Sequence, residues 1–305
     1  MTEVLLKAMA FVSIIILGYT LKRIGFFMPN DYKMISKIVM NLTLPAAVIT
    51  GFANFQMDIS LIYVVLLGLL CNVFMVSLGF WAGAKNDDNK AFYMLNFSGY
   101  NIGCFTLPFV QNFLGPFGVV ATCMFDSGNS IMCTGGTYAA AASVVGVGEK
   151  GHAGMRLIKT LFSSVPFTTY IAMLLLSLLG IHFPVAVNSL ISIIAGANSF
   201  LAMLMIGMMI EIDLEPKHLK QAAFILSVRY LLASIFAVIF YFYTPFSLEV
   251  RQVLVLVIFA PISALVPVFT EKCKGNTALS SFTNSISILL SITIMTILLV
   301  VMKVG

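Results

Sequence analysis

The stretch Gly99-Tyr100-Asn101-Ile102-Gly103-Cys104-Phe105-Thr106-Leu107-Pro108 lies inside an apolar run over residues 91–113. A second stretch, Ala260-Pro261-Ile262-Ser263-Ala264-Leu265-Val266-Pro267, lies inside another over residues 248–270. Proline removes a backbone donor and clashes with the preceding turn, so each run is predicted to be an interrupted helix. The freed amides and carbonyls are costly in lipid unless protein or water satisfies them. An interrupted helix in a membrane therefore lines a cavity, and two in matching positions mark a binding site near the bilayer midplane.

The surrounding chain supports a lipid environment. Hydrophobic residues make up 60% of the 305 residues and charged residues only 10%, whereas a soluble domain carries about 25% charged residues. A membrane helix needs roughly 20 apolar residues. Apolar runs fall at 4–24, 33–53, 59–84, 91–113, 116–146, 157–180, 184–210, 218–243, 248–270 and 276–302. The expectation is an all-α integral membrane protein of ten transmembrane helices with short connections and no room for a soluble domain. Residues 4–20 lack a small-residue cleavage site, and Lys22 and Arg23 follow the run, so it reads as a retained first span.

Basic residues orient the chain. Thirteen of the seventeen lie in the odd-numbered connections: Lys22, Arg23, Lys33, Lys37, Lys85, Lys90, Lys150, Arg156, Lys159, Lys217, Lys220, Lys272 and Lys274. Only Lys7, Arg251 and Lys303 lie in the even connections and termini, with Arg229 left inside a span. The positive-inside rule places the odd loops in the cytoplasm and both termini outside. Five spans precede the basic loop and five follow it. The expected organisation is a first five-helix repeat at 1–146, a linker loop at 147–156 and a second, inverted repeat at 157–305. The two interrupted helices are the fourth of each half.

Asp126 is the one acidic residue deep in a span, within Asp126-Ser127-Gly128-Asn129-Ser130. A carboxylate at the bilayer centre costs roughly 2.5–3.5 kcal/mol on insertion scales, so it is expected to face a cavity, a cation or a proton path. The competing readings are a hydrogen-bonded structural aspartate or a partner of Arg229. Asn129 lies three residues on, on the same face, and Thr283 and Asn284 occupy a comparable place in the last span. Asn101 is the leading candidate to bind a carboxylate substrate. Asn41 and Pro45 are expected to break the second span.

Other motifs carry no chemistry. Gly146-Val147-Gly148-Glu149-Lys150-Gly151 fits a dinucleotide fingerprint but has no βαβ context. His152, His182 and His218 are scattered in loops, and no two of Cys71, Cys104, Cys123, Cys133 and Cys273 form a CxxC pair; buried structural thiols are expected. No metal-ligand cluster, phosphate loop or nucleophile motif points to an enzyme, a cofactor or a nucleic-acid partner.

Three stretches carry a resemblance. They are Gly18-Tyr19 through Lys22-Arg23-Ile24-Gly25-Phe26-Phe27 and on into Asn41-Leu42-Thr43-Leu44-Pro45-Ala46; Asn101-Ile102-Gly103 through Leu107-Pro108 to Asp126-Ser127-Gly128-Asn129; and Ala260-Pro261-Ile262-Ser263-Ala264. The chain resembles the bacterial branch of the auxin efflux carrier family, relatives of the plant PIN carriers. The resemblance implies two inverted five-helix repeats. Spans 1, 2, 6 and 7 would form a scaffold, and the other six a transport domain in which helices 4 and 9 cross at their breaks. It further implies elevator-type secondary transport of a small carboxylate such as malate or malonate, with a homodimer through the scaffold. The long central loop of many plant members is missing. The expected substrate contacts are Asn101, Gly103, Pro108, Pro261 and Ser263. Asp126, Asn129 and Asn284 are the expected ion-coupling or cavity residues, with H+ or Na+ as coupling ion. The alternatives are a sodium/proton-type cation exchanger, which usually gathers several acidic residues at the crossing, and a non-transporting membrane sensor.

Overall fold

The computed structural model describes residues 2–53, 55, 58, 60–84, 86–147, 153–212 and 216–303. Lys85, Lys150 and His152, and with them residues 148–152 of the linker, lie outside the described residues. So does most of the Gly146–Gly151 motif.

Sixteen α-helices follow one another among the described residues: α1 (Thr2–Arg23), α2 (Tyr32–Ile38), α3 (Leu44–Phe52), α4 (Leu61–Ala82), α5 (Asp87–Phe97), α6 (Leu107–Phe113), α7 (Gly115–Ile131), α8 (Thr137–Val144), α9 (Ala153–Ser163), α10 (Val165–Leu178), α11 (Val185–Gly196), α12 (Asn198–Met209), α13 (Leu219–Tyr243), α14 (Leu248–Ile258), α15 (Val266–Lys272) and α16 (Thr277–Val301). Three π-helical turns, Val39–Thr43, Ile102–Thr106 and Met132–Gly136, join α2 to α3, lead into α6 and join α7 to α8. The described residues form an all-helical, multi-pass membrane protein.

Six stretches are long and apolar enough to cross a bilayer: Val4–Arg23, Tyr32–Phe52, Leu61–Ala82, Val185–Met209, Leu219–Tyr243 and Thr277–Val301. The pair α9 and α10, bent by 79°, makes a seventh. The seventh differs from the continuous span expected at 157–180. Ser164 is extended and Pro166 opens α10, and a proline in a first turn costs no intrahelical bond. The three other expected spans are each divided. One splits into α5 and α6 and another into α14 and α15; α7 and α8 meet at a kink where Gly135 leaves helical geometry. Side chains such as Leu6, Met9, Leu70, Leu190, Ile193, Leu231 and Phe242 are exposed along these helices, as lipid-facing surfaces require.

Local sequence sets the helix starts. Asn86 accepts from the Asp88 amide at 2.9 Å, and Asp87 and Asp88 sit in the first turn of α5, where the helix dipole favours negative charge. Asn276 caps α16 through the Leu279 amide in the same way.

The second span does not break at Asn41 and Pro45 as expected. The π turn gives the Leu44 amide the Val39 carbonyl and carries the helix through Pro45 without interruption. Asn41 is exposed and donates to the Lys37 carbonyl.

Two groups of helices pack internally. In one, α1 lies against α12, and α3 against α10 and α11. In the other, α4 lies against α5 and α7, α5 against α8, α13 and α15, α13 against α14, and α15 against α16. Glycine allows the closest pairs. A Cβ on Gly18 or Gly207 would run into the backbone across the α1–α12 contact, and one on Gly68 or Gly128 into the backbone across α4–α7. Helix association in lipid depends on such close approach, because the solvent is as apolar as the side chains.

Candidate functional site

Buried backbone groups must find partners, so the two interrupted runs are best described by where theirs go. The first run ends its helix at Phe97, and residues 98–101 are non-helical. Gly99 has φ +77, a conformation glycine adopts without cost, and this is where the chain turns. The second run ends its helix at Ile258 and resumes at Val266. The two breaks meet: Tyr100 and Ile262 form a single antiparallel bridge, and the Asn101 amide donates to the Pro261 carbonyl at 2.9 Å.

Side chains from flanking helices satisfy the remaining groups. Asn129 of α7 binds both backbone groups of Tyr100: its Oδ1 accepts from the amide at 3.2 Å and its Nδ2 donates to the carbonyl at 2.9 Å. Asn72 of α4 accepts from the Gly99 amide at 2.8 Å and donates to Asn129 Oδ1 at 3.0 Å. Across the bridge, Ser287 of α16 accepts from the Ile262 amide at 3.0 Å, and Asn284 donates to the Ser263 carbonyl at 3.1 Å. Ser263 Oγ accepts from the Leu265 amide at 3.4 Å, at the start of α15. Each break is thus held by polar side chains of a neighbouring long helix.

Arg229 of α13 joins the two breaks. Its guanidinium donates to the carbonyls of Phe97, Ser98 and Gly99 on one side and of Ala260 and Pro261 on the other, at 2.6–3.3 Å. It also lies over the Tyr100 ring, 4.8 Å from the centroid, a favourable cation–π placement. The helix ends it binds are carboxyl ends, whose partial negative charge favours a cation. Among the described residues no ion pair joins Arg229 to Asp126.

Asp126 has other partners. Oδ1 accepts from Asn129 Nδ2 at 2.8 Å and Oδ2 accepts from the Tyr170 hydroxyl of α10 at 3.0 Å. Gly103 lies beside this pair; a Cβ there would sit 3.5 Å from the Tyr170 hydroxyl and 3.8 Å from Asp126 Oδ2. Since Tyr170 is in the first helix group and α7 in the second, the Asp126–Tyr170 bond spans the seam between them. Tyr170→Phe removes one hydrogen bond to a charged group, about 1.5–3 kcal/mol. It is expected to lower thermal stability, readable from melting curves of the purified variant.

The site residues read from the sequence divide as follows. Asn101, Pro261 and Ser263 lie at the meeting of the breaks, with Asn129 and Asn284 holding it and Asp126 and Gly103 one layer away. Asn101 is 8% exposed, and its side-chain amide makes no hydrogen bond among the described residues. Pro108 is not brought there. It opens α6, beyond the π turn, and its carbonyl accepts from Asn112 Nδ2 at 2.9 Å and Ser199 Oγ at 3.3 Å. The break forms earlier because Gly99 tolerates the turn, while a proline at a helix start needs no donor. Asn72, Tyr170 and Ser287 were not singled out from the sequence. Nothing distinguishes them there from the polar residues that glue membrane helices together. Arg229 did carry a signal, since a lone arginine inside a span demands a partner. Among the described residues no three histidines, cysteines or carboxylates gather as a metal site.

Part of the chain is similar to known membrane proteins. Residues 4–148 match the family described as Membrane transport protein. Over 243 residues, 77% of this chain and 76% of the relative, the sequence is 22% identical to a protein described as an uncharacterized transporter from Methanothermobacter thermautotrophicus. Over residues 4–148, a little under half of its length, the chain is thus similar to a family of membrane transport proteins.

Proposed function

We propose that this membrane protein is a secondary carrier of small organic anions, carboxylates such as malate or malonate. Alternating access would be of the elevator type, coupled to protons or sodium. The observation that carries this reading is the meeting of the two breaks, where Asn101 has an unengaged side-chain amide and its backbone shares the Pro261 carbonyl with the buried Arg229. Substrate sites in transporters lie at such discontinuities, where irregular backbone is tolerated because it lines the binding cavity.

The reading includes two inverted five-helix repeats, ten spans in all, whose fourth and ninth helices cross at the breaks. The matching support of the breaks by Asn129 on one side and by Asn284 and Ser287 on the other favours it. The first helix group corresponds to the scaffold and the second to the moving transport domain. Asp126, on the transport side of the seam, is the proposed coupling residue. Coupling is proposed to work through its bond to Tyr170, which movement of one group past the other must break. The chain would sit in the inner (plasma) membrane with both termini outside, the odd loops in the cytoplasm, and a second copy packed on the scaffold. A cation exchanger is disfavoured, because the charge bound at the breaks is Arg229.

The test is uptake of radiolabelled malate, malonate and acetate into liposomes that hold the purified protein, under an imposed proton or sodium gradient. One acid is expected to accumulate with one gradient. Asn101→Ala, which loses up to two hydrogen bonds to a charged ligand, is expected to raise KM on the order of tenfold or more. No uptake of any of the three acids would remove the carboxylate reading.

A further inference from the structure

Arg229 is 1% exposed and sits in the middle of a membrane helix. Burying a cation there is costly unless charge or hydrogen bonds compensate it. Five carbonyls and the Tyr100 ring supply dipoles, but among the described residues no carboxylate supplies a counter-charge. Asp126, the acidic residue within the spans, is engaged by Asn129 and Tyr170 instead. The guanidinium is also not saturated: its Nε–H is buried and has no acceptor. Pro261 ties this cation to the proposed substrate contact. Its carbonyl oxygen accepts from Arg229 at 3.3 Å and from the backbone amide of Asn101 at 2.9 Å. A positive charge with no carboxylate partner among the described residues thus shares an acceptor with the backbone of Asn101, the residue whose side-chain amide is unengaged.

We propose that Arg229 is the specificity-determining residue that makes the crossing of the two breaks select anions, its fixed charge being balanced by the substrate when substrate is bound. The inference rests on the carrier reading above but concerns charge, not the identity of the acid. It separates two roles that Arg229 combines. The fork of hydrogen bonds holds the breaks together, and the charge sets which ligands the crossing accepts. Arg229→Lys keeps the charge and loses the fork; Arg229→Gln loses the charge and part of the fork. Cys133→Asp leaves Arg229 untouched and adds a negative charge nearby. Cys133 Sγ lies 3.3 Å from where a Cβ on Gly99 would sit, and the Gly99 carbonyl is one of the Arg229 acceptors. Cys133→Asn controls for shape.

The experiment measures ligand-induced thermal stabilisation of the full chain in detergent, with malonate, acetate, neutral malonamide and cationic propane-1,3-diammonium as probes. Wild type is expected to be stabilised by the anions and by neither of the other two. Arg229→Lys is expected to keep this preference at a lower melting temperature. Arg229→Gln and Cys133→Asp are expected to weaken anion affinity roughly tenfold or more, Cys133→Asn much less, because one unit charge in a low-dielectric site is worth that much. A merely structural arginine would lower the melting temperature of Arg229→Gln without changing the charge preference of Cys133→Asp. Should Arg229→Gln fail to fold, Arg229→Lys and the two Cys133 variants decide. Wild type stabilised by neither anion, or Cys133→Asp binding anions as wild type does, overturns the inference. Stabilisation by anions without uptake in liposomes overturns the carrier reading and leaves this one standing. Uptake with an unaltered charge preference in Cys133→Asp does the reverse.

Discussion

Asp126→Asn is expected to abolish accumulation of substrate against its gradient while leaving membrane insertion and the helical fold intact. The substituted side chain has the same shape, so Gly103 still has room beside it and the α7 packing is unchanged. Its oxygen can still accept from Asn129, which keeps Asn129 on the Tyr100 backbone. What is lost is the negative charge, and with it the group that would bind a proton or sodium. The Tyr170 hydroxyl, which donates to Oδ2, then faces an amide nitrogen and must turn to accept. A hydrogen bond to a charged group is worth about 1.5–3 kcal/mol, so affinity for a coupled ion should fall by roughly one to two orders of magnitude. Downhill exchange of unlabelled for labelled substrate should persist, because Asn101 and Arg229 are untouched. Reconstituted liposomes read both modes. Accumulation at the wild-type level would remove Asp126 from coupling and leave it as a structural, hydrogen-bonded aspartate.

The second large effect is on the fold. Gly128→Val should lower the melting temperature more than any substitution on a lipid-facing surface, and transport should fail with it. A Cβ at Gly128 runs into the Val65 carbonyl and lies 2.8 Å from the Leu69 amide nitrogen, both on α4. Backbone cannot swing aside as a side chain can, so the helices must separate. Overpacking a well-filled contact costs about 1–3 kcal/mol even where side chains can adjust, and more where they cannot. Separation also moves Asn72, which rides on α4 and holds both Asn129 and the Gly99 amide, so the first break loses its support. Gly196→Ala is the contrast: a Cβ there meets nothing within 4 Å, and at a helix end the change should be near neutral. Thermal unfolding of the two variants in one detergent compares them directly. Equal melting temperatures would show that α4 and α7 do not depend on this approach.

Some of this was legible before any coordinates. A membrane-spanning helical chain follows from composition, because 60% hydrophobic residues leave no polar surface for water. The two interrupted stretches were visible as proline and glycine within apolar runs, and both are interrupted in the structure. Their positions were less legible. Pro45 and Pro108 looked like breaks but sit at helix starts or behind π turns, where a missing donor costs nothing. Gly99, with its positive φ, is where the first break forms.

Asp126 and Arg229 stood out as expensive residues in lipid, and each does have specific partners. Asn129, three residues on, was legible beside Asp126 from spacing, but Tyr170 lies 44 positions from Asp126, and the Arg229 partners lie up to more than 130 positions away. A charge inside a span announces that something must satisfy it. The sequence by itself therefore determined the solvent, the helical class and the residues under strain from that solvent. Only the tertiary structure decided that the two charges do not pair: the carbonyl ends exposed by both breaks converge on Arg229, and their combined dipoles hold the cation in place of Asp126, whose carboxylate is held instead by Asn129 and Tyr170.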